Sequence, residues 1–132
     1  MNQKSDGMAL LGRALLALIF IMSGWGKLTG FEGAVGYIAS KNLPMPQVLA
    51  AIAVAIELGG GLLLLIGLKA RWIALLFVAF IVIITPIFHN FWSVAADQAQ
   101  GQQINFMKNL GLIGGMFMVA AFGPGRFSVD RG

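Results

Sequence analysis

A single carboxylate, Glu57, stands near the middle of the apolar segment Pro46 to Gly67, and nothing else in that segment is charged. At ~1.5 Å per residue a helix of this length crosses the ~30 Å hydrocarbon core of a bilayer, which puts Glu57 near the midplane. A charge there costs from ~3 to over 10 kcal/mol, so such a residue faces the protein interior and takes a partner. The groups able to join it are Lys27, the only histidine, His89, and Lys108 or Asn109 at the start of the last apolar segment. Lys27 and His89 end helices that run opposite to the one carrying Glu57, and side chains lean toward the N-terminus of their own helix. All three therefore lean toward one another, and a polar pocket of Lys27, Glu57, His89 and Lys108 or Asn109 is expected. Its chemistry is that of a protonatable acid among cations: binding of a quinone head group, proton movement, or a buried ion pair.

Other chemistries are poorly served. Without cysteine there are no disulfides, thiolate metal sites or thiol relays within the chain. One histidine excludes a bis-histidine haem, and the seven methionines are read as packing filler in apolar helices. One His and one Glu make no convergent metal site, so no metal is expected. The nine Lys and Arg residues are scattered singly, which argues for membrane topology signals and against nucleic acid.

The elements that must hold these groups are membrane helices. Of 132 residues only 11% are charged and 58% are apolar, too little polar surface for a soluble fold of one domain. The pattern predicts an all-α, four-helix membrane bundle with spans at about 8–26, 46–67, 72–88 and 106–122. The first is read as an uncleaved helix, since Arg13 interrupts what would be the apolar core of a signal peptide. Its face Arg13, Ala17, Phe20, Gly24 and Lys27 carries small residues that allow close packing. A headgroup-level short helix is expected within 28–45, and Pro44 and Pro46 start the second span. Gly59, Gly60 and Gly61 beside Glu57 are read mainly as close-packing positions. Pro86 is expected to kink the third span and free the carbonyl of Val82. Residues 93–105, with four closely spaced glutamines, read as an exposed mobile loop, and Gly123, Pro124 and Gly125 end the fourth span.

Orientation follows from the basic residues. Lys4, Arg13, Lys69, Arg71, Arg126 and Arg131 fall on one side, and Lys27, Lys41 and Lys108 on the other. Six against three places both termini in the cytoplasm. Arg13 then leans to the cytoplasmic side, away from Glu57, to meet lipid phosphate or the C-terminal tail, where Asp130 is an available carboxylate.

The chain resembles the DoxX family of small four-helix bacterial membrane proteins over nearly its whole length. The resemblance rests on Arg13; on Ser23, Gly24 and Lys27; on Leu43 and Pro44; and on Glu57 with Gly59 and Gly60. It continues through His89 and Trp92, Phe106 with Lys108 and Asn109, and Gly123, Pro124, Gly125, Ser128 and Asp130. It implies the bacterial inner membrane and a four-helix fold. It also implies, for some relatives, sulfur oxidation with quinone as acceptor or membership of thiol and oxidative-stress complexes. Two functions stay open: the membrane subunit of a redox system, with quinone and a redox protein as partners, or a non-catalytic docking scaffold in the lipid. A small-molecule carrier is the weaker third, since no internal repeat is seen, although a homo-oligomer could supply the symmetry. Whether the chain is an enzyme is left undecided by its residues.

Overall fold

The computed structural model describes residues 3–132, and these contain helices and no strands. Helix α1 spans Gln3–Thr29, and the short α2, Phe31–Ser40, follows almost without a break. The second span is one continuous rod of α3 (Pro46–Val54), a wide π turn (Ala55–Gly60) and α4 (Gly61–Ile66). Helix α5 spans Ala70–Phe88, and after a single 3-10 turn at Phe91–Ser93 helix α6 spans Ala96–Phe122. Four stretches are long and apolar enough to cross a bilayer. Large apolar side chains such as Leu11, Leu15, Ile83 and Met118 are exposed around the outside, as a lipid-facing surface requires.

Local chemistry sets the boundaries. Pro46 occupies the first turn of α3, where its missing N–H is no loss. Gly67 takes the left-handed conformation (φ 73°) after α4, and the N–H groups of Gly67 and Leu68 return to the carbonyl of Leu63. That turn leads directly into α5 and makes an antiparallel hairpin. Helix α6 stops at Gly123 (φ 81°), followed by Pro124 and Gly125 (φ 87°).

The ends of two helices differ from the sequence expectation. Residues 96–105 are helix, not loop, so α6 is longer than its apolar part. Alanine and glutamine are good helix formers, and a 27-residue helix of ~40 Å exceeds a ~30 Å hydrocarbon core, so its polar first turns can stand outside. Helix α1 likewise extends beyond the apolar run at both ends, to Gln3 and to Thr29.

The core is built from small residues and a few large ones. Ala17, Ala70 and Ala74 are fully buried beside Phe77, Leu64, Ile81 and Met116, and the rings of Phe20 and Phe77 stack with centroids 4.2 Å apart. Where α1 crosses the second span the backbones nearly touch. A Cβ on Gly24 would lie 2.6 Å from the backbone nitrogen of Leu58, and one on Gly61 would lie 2.8 Å from Ile21. Dispersion from such close approach is what holds helices together when the solvent is itself apolar.

The start of α1 and the C-terminal tail lie at one end of the bundle, where the tail crosses the α4–α5 turn. The N–H groups of Val129 and Asp130 donate to the carbonyls of Ile66 and Gly67, each at 3.0 Å, and Arg126 N–H reaches the buried Asp6 carboxylate at 3.3 Å.

Candidate functional site

Glu57 sits inside the π turn. One extra residue in that turn re-aims the side chains around it, and Glu57 and Gly60 both end up buried on the inner face. Gly24, which lets α1 approach the backbone of Leu58, brings the next turn of α1 against the carboxylate. The Lys27 ammonium meets Glu57 Oε1 at 2.7 Å and Ser23 Oγ at 2.8 Å. The carboxylate side chain is 5% exposed and the lysine side chain 35%. The pair thus has one desolvated member and one that reaches open space.

That space is a cleft of about 850 Å³, within the size range of small-molecule sites. Its walls are the C-terminal part of α1, α2, α3 with the π turn, and the C-terminal part of α5. Helices α3 and α5 do not pack on each other there. The stacking of Tyr37 on Phe88, centroids 5.3 Å apart, bridges α2 to α5 across the gap. Most of the lining is aliphatic, with Ile56, Leu76, Phe80 and Ile84 among it, and the polar groups are Ser23, Lys27, Glu57, Tyr37 and His89. Met22, Ile52 and Ile83 line the cleft and are also exposed on the apolar outer surface, so the cleft is continuous with the lipid-facing side.

His89 lines the same cleft, at the C-terminal end of α5, and its Nδ1 lies 2.8 Å from Gln102 Oε1 on α6. The remaining expected members are placed elsewhere. Lys108 is exposed and does not line the cleft. Asn109 is buried between α5 and α6, where its Nδ2 donates to Thr85 Oγ1 at 3.0 Å, and Thr85 in turn donates to the Ile81 carbonyl. The reason is helical geometry: successive residues are ~100° apart, and α6 packs mainly on α5 and contributes no residue to the cleft lining. The pocket expected from four helices is thus assembled from three helices and α2. No cluster of three or more metal-binding side chains occurs among the described residues.

Arg13 lies at the terminal end, buried to 3% exposure. Its guanidinium donates to the carbonyls of Leu65 (3.1 and 3.3 Å), Phe127 (2.8 Å) and Pro124. It meets the tail, as its lean suggests, with its hydrogen bonds going to carbonyl oxygens and none to Asp130, which acts on it only as a nearby charge. The Asp130 carboxylate instead accepts from the backbone N–H groups of Lys69 (2.9 Å) and Ala70 (2.8 Å), capping α5. Those two bonds hold its pKa below the usual carboxylate value. This cap has no local sequence signal, because cap and helix are 60 residues apart. Gln102 was likewise hidden, in a stretch read as loop.

Comparison with known proteins bears on the same residues. Residues 8–90 match the DoxX family model. The chain is 38% identical to inner membrane protein YphA of Escherichia coli (strain K12) over 122 residues, 92% of this chain and 87% of that protein. It is 33% identical to inner membrane protein YqjF of the same organism over 131 residues, 99% of this chain and 95% of that protein. A shorter match, 36% over 77 residues, covers 58% of this chain and 56% of a Bacillus subtilis (strain 168) protein named "Putative oxidoreductase CatD". No solved structure matches. With four membrane-spanning helices and inner membrane relatives along nearly its full length, this is a multi-pass inner membrane protein, and it belongs to the DoxX family.

Proposed function

We propose that the chain is the membrane subunit of a quinone- or thiol-linked redox system, and that its cleft holds the head group of a membrane quinone beside the Lys27–Glu57 pair. The observation that carries this reading is the ion pair itself, set in the wall of an otherwise apolar cleft that opens toward lipid. A polar head on an apolar tail matches such a lining. Of the three ammonium protons of Lys27, two are taken by Ser23 and Glu57, which leaves one for a carbonyl oxygen of the head. The second oxygen of Glu57 has no partner among the described residues and is placed to hold a proton. A bound quinone would supply the two-electron chemistry. The chain's own part is to orient the head, exclude water and carry the proton. Thiol chemistry would belong to a partner protein, since the chain has no cysteine.

In the same reading both termini face the cytoplasm, on the six-to-three distribution of basic residues, and the cleft lies in the outer half of the membrane. The bundle purified in mild detergent and extracted for lipids is expected to yield close to one quinone per chain. Bulk phospholipid alone would favour a docking scaffold in which the pair only ties α1 to the second span. Glu57→Gln sharpens the choice. Normal folded yield with loss of a redox-stress phenotype supports a functional acid, and loss of yield supports the scaffold.

A further inference from the structure

The cleft holds a second polar group, His89, whose partner comes from outside the cleft. Gln102 stands on α6, in the turns that rise beyond the apolar part of that helix, and its Oε1 is 2.8 Å from His89 Nδ1. An amide oxygen only accepts, so in this arrangement Nδ1 carries the proton and Nε2 is left with its lone pair. Nε2 makes no hydrogen bond among the described residues, and the ring is half-buried in the wall of the cleft. Because the ring follows directly on the last turn of α5, with His89 N–H donating to the Thr85 carbonyl at 2.9 Å, its backbone is fixed as well.

We infer that Gln102 is a positioning residue that locks His89 as the Nδ1–H tautomer, so that Nε2 presents an acceptor to the cleft and selects a head group bearing a hydroxyl. The inference rests on the quinone reading for its ligand and deepens it: Lys27 offers a donor, His89 offers an acceptor, and the reduced quinol head, with O–H groups, is preferred to the oxidised quinone, which has none. The tautomer itself is independent of any ligand. A free imidazole favours the opposite tautomer, with the proton on Nε2, so the lock is a measurable departure from solution behaviour.

The chain has one histidine, so a 15N-histidine-labelled sample in lipid nanodiscs reports His89 alone. At a pH where the ring is neutral, Nδ1 should give the shift of a protonated nitrogen and Nε2 that of an unprotonated one. Gln102→Leu should move the spectrum toward the Nε2–H form, and Gln102→Glu, which also only accepts when ionised, should keep the wild-type pattern. A wild-type spectrum with the proton on Nε2, or one unchanged by Gln102→Leu in a sample with wild-type helicity, would overturn the lock. Gln102 lies on an element that already stands beyond the core, and an unfolded Gln102→Leu sample would leave Gln102→Glu and the wild-type tautomer to decide. Decylubiquinol should shift the Nε2 resonance and decylubiquinone should not, and Gln102→Leu should weaken quinol binding about tenfold with quinone binding unchanged. If neither probe moves Nε2 while the tautomer is locked, the ligand reading falls and the positioning role stands.

Discussion

Removing one member of the Lys27–Glu57 pair should have very unequal effects, depending on which member is removed. The two side chains differ sevenfold in exposure, 35% against 5%. In Lys27→Met the carboxylate stays in an apolar wall with no cation, and breaking a buried pair in this way costs about 3–5 kcal/mol. In Glu57→Gln the amide still accepts from Lys27, the lysine keeps Ser23 at 2.8 Å, and its exposed end can reach polar surroundings. Loss of ionisation alone should then cost only about 1–2 kcal/mol. The double variant Lys27→Met/Glu57→Gln should recover part of the single Lys27→Met loss, because no unpaired charge remains, with a coupling of about 1–3 kcal/mol. Unfolding of the four proteins in mixed micelles, followed by circular dichroism against the detergent mole fraction, gives the cycle. A Glu57→Gln variant as unstable as Lys27→Met, or additivity of the two, would refute the assignment of Glu57 as the desolvated partner.

Three further outcomes are expected. Arg13→Leu strands the carbonyls of Leu65, Pro124 and Phe127 and should lower stability by about 3–5 kcal/mol, with Arg13→Lys recovering only a fraction because an ammonium cannot fork among them; proteolysis of the C-terminal tail reads the loss. For Asp130 the folded pKa is depressed below the unfolded value, so its contribution is complete above the unfolded value of about 3.9 and is lost as pH falls through the folded one. Asp130→Asn should flatten that acid-side dependence in a titration of stability against pH. A reporter fused after Gly132 should be active only in its cytoplasmic form and one inserted at residues 93–95 only in its external form, and the reverse pair would move the cleft to the cytoplasmic half.

The four spans could be read from the sequence because hydropathy is local: each helix satisfies its own backbone, and its apolar length is written in consecutive residues. Small residues at helical spacing from Ala17 to Gly24 and around Gly60 also marked the faces that pack. What could not be read depended on groups far apart in sequence or on small rotations. Lys108 and Asn109 are neighbours in sequence, yet the packing of α6 on α5 turns one to the outside and the other to Thr85. Residues 96–105 look like loop by polarity, and only their helix propensity and continuity with the apolar turns argue otherwise. The π turn has no reliable local signature, although three consecutive glycines beside Glu57 signalled that the helix there is irregular or tightly packed.

The bonds of Arg13 have a consequence for the order in which the molecule is made. Arg13 is synthesised more than 100 residues before two of its three acceptors, Pro124 and Phe127. During insertion the guanidinium must therefore remain at the headgroup level, solvated by water and phosphate, while the other three spans enter the bilayer. Sealing that end of the bundle therefore follows the synthesis of all four described spans. A chain cut after Phe122 would keep the four described spans but leave Arg13 without the carbonyls of Pro124 and Phe127, so the segment after α6 acts as a latch on α1.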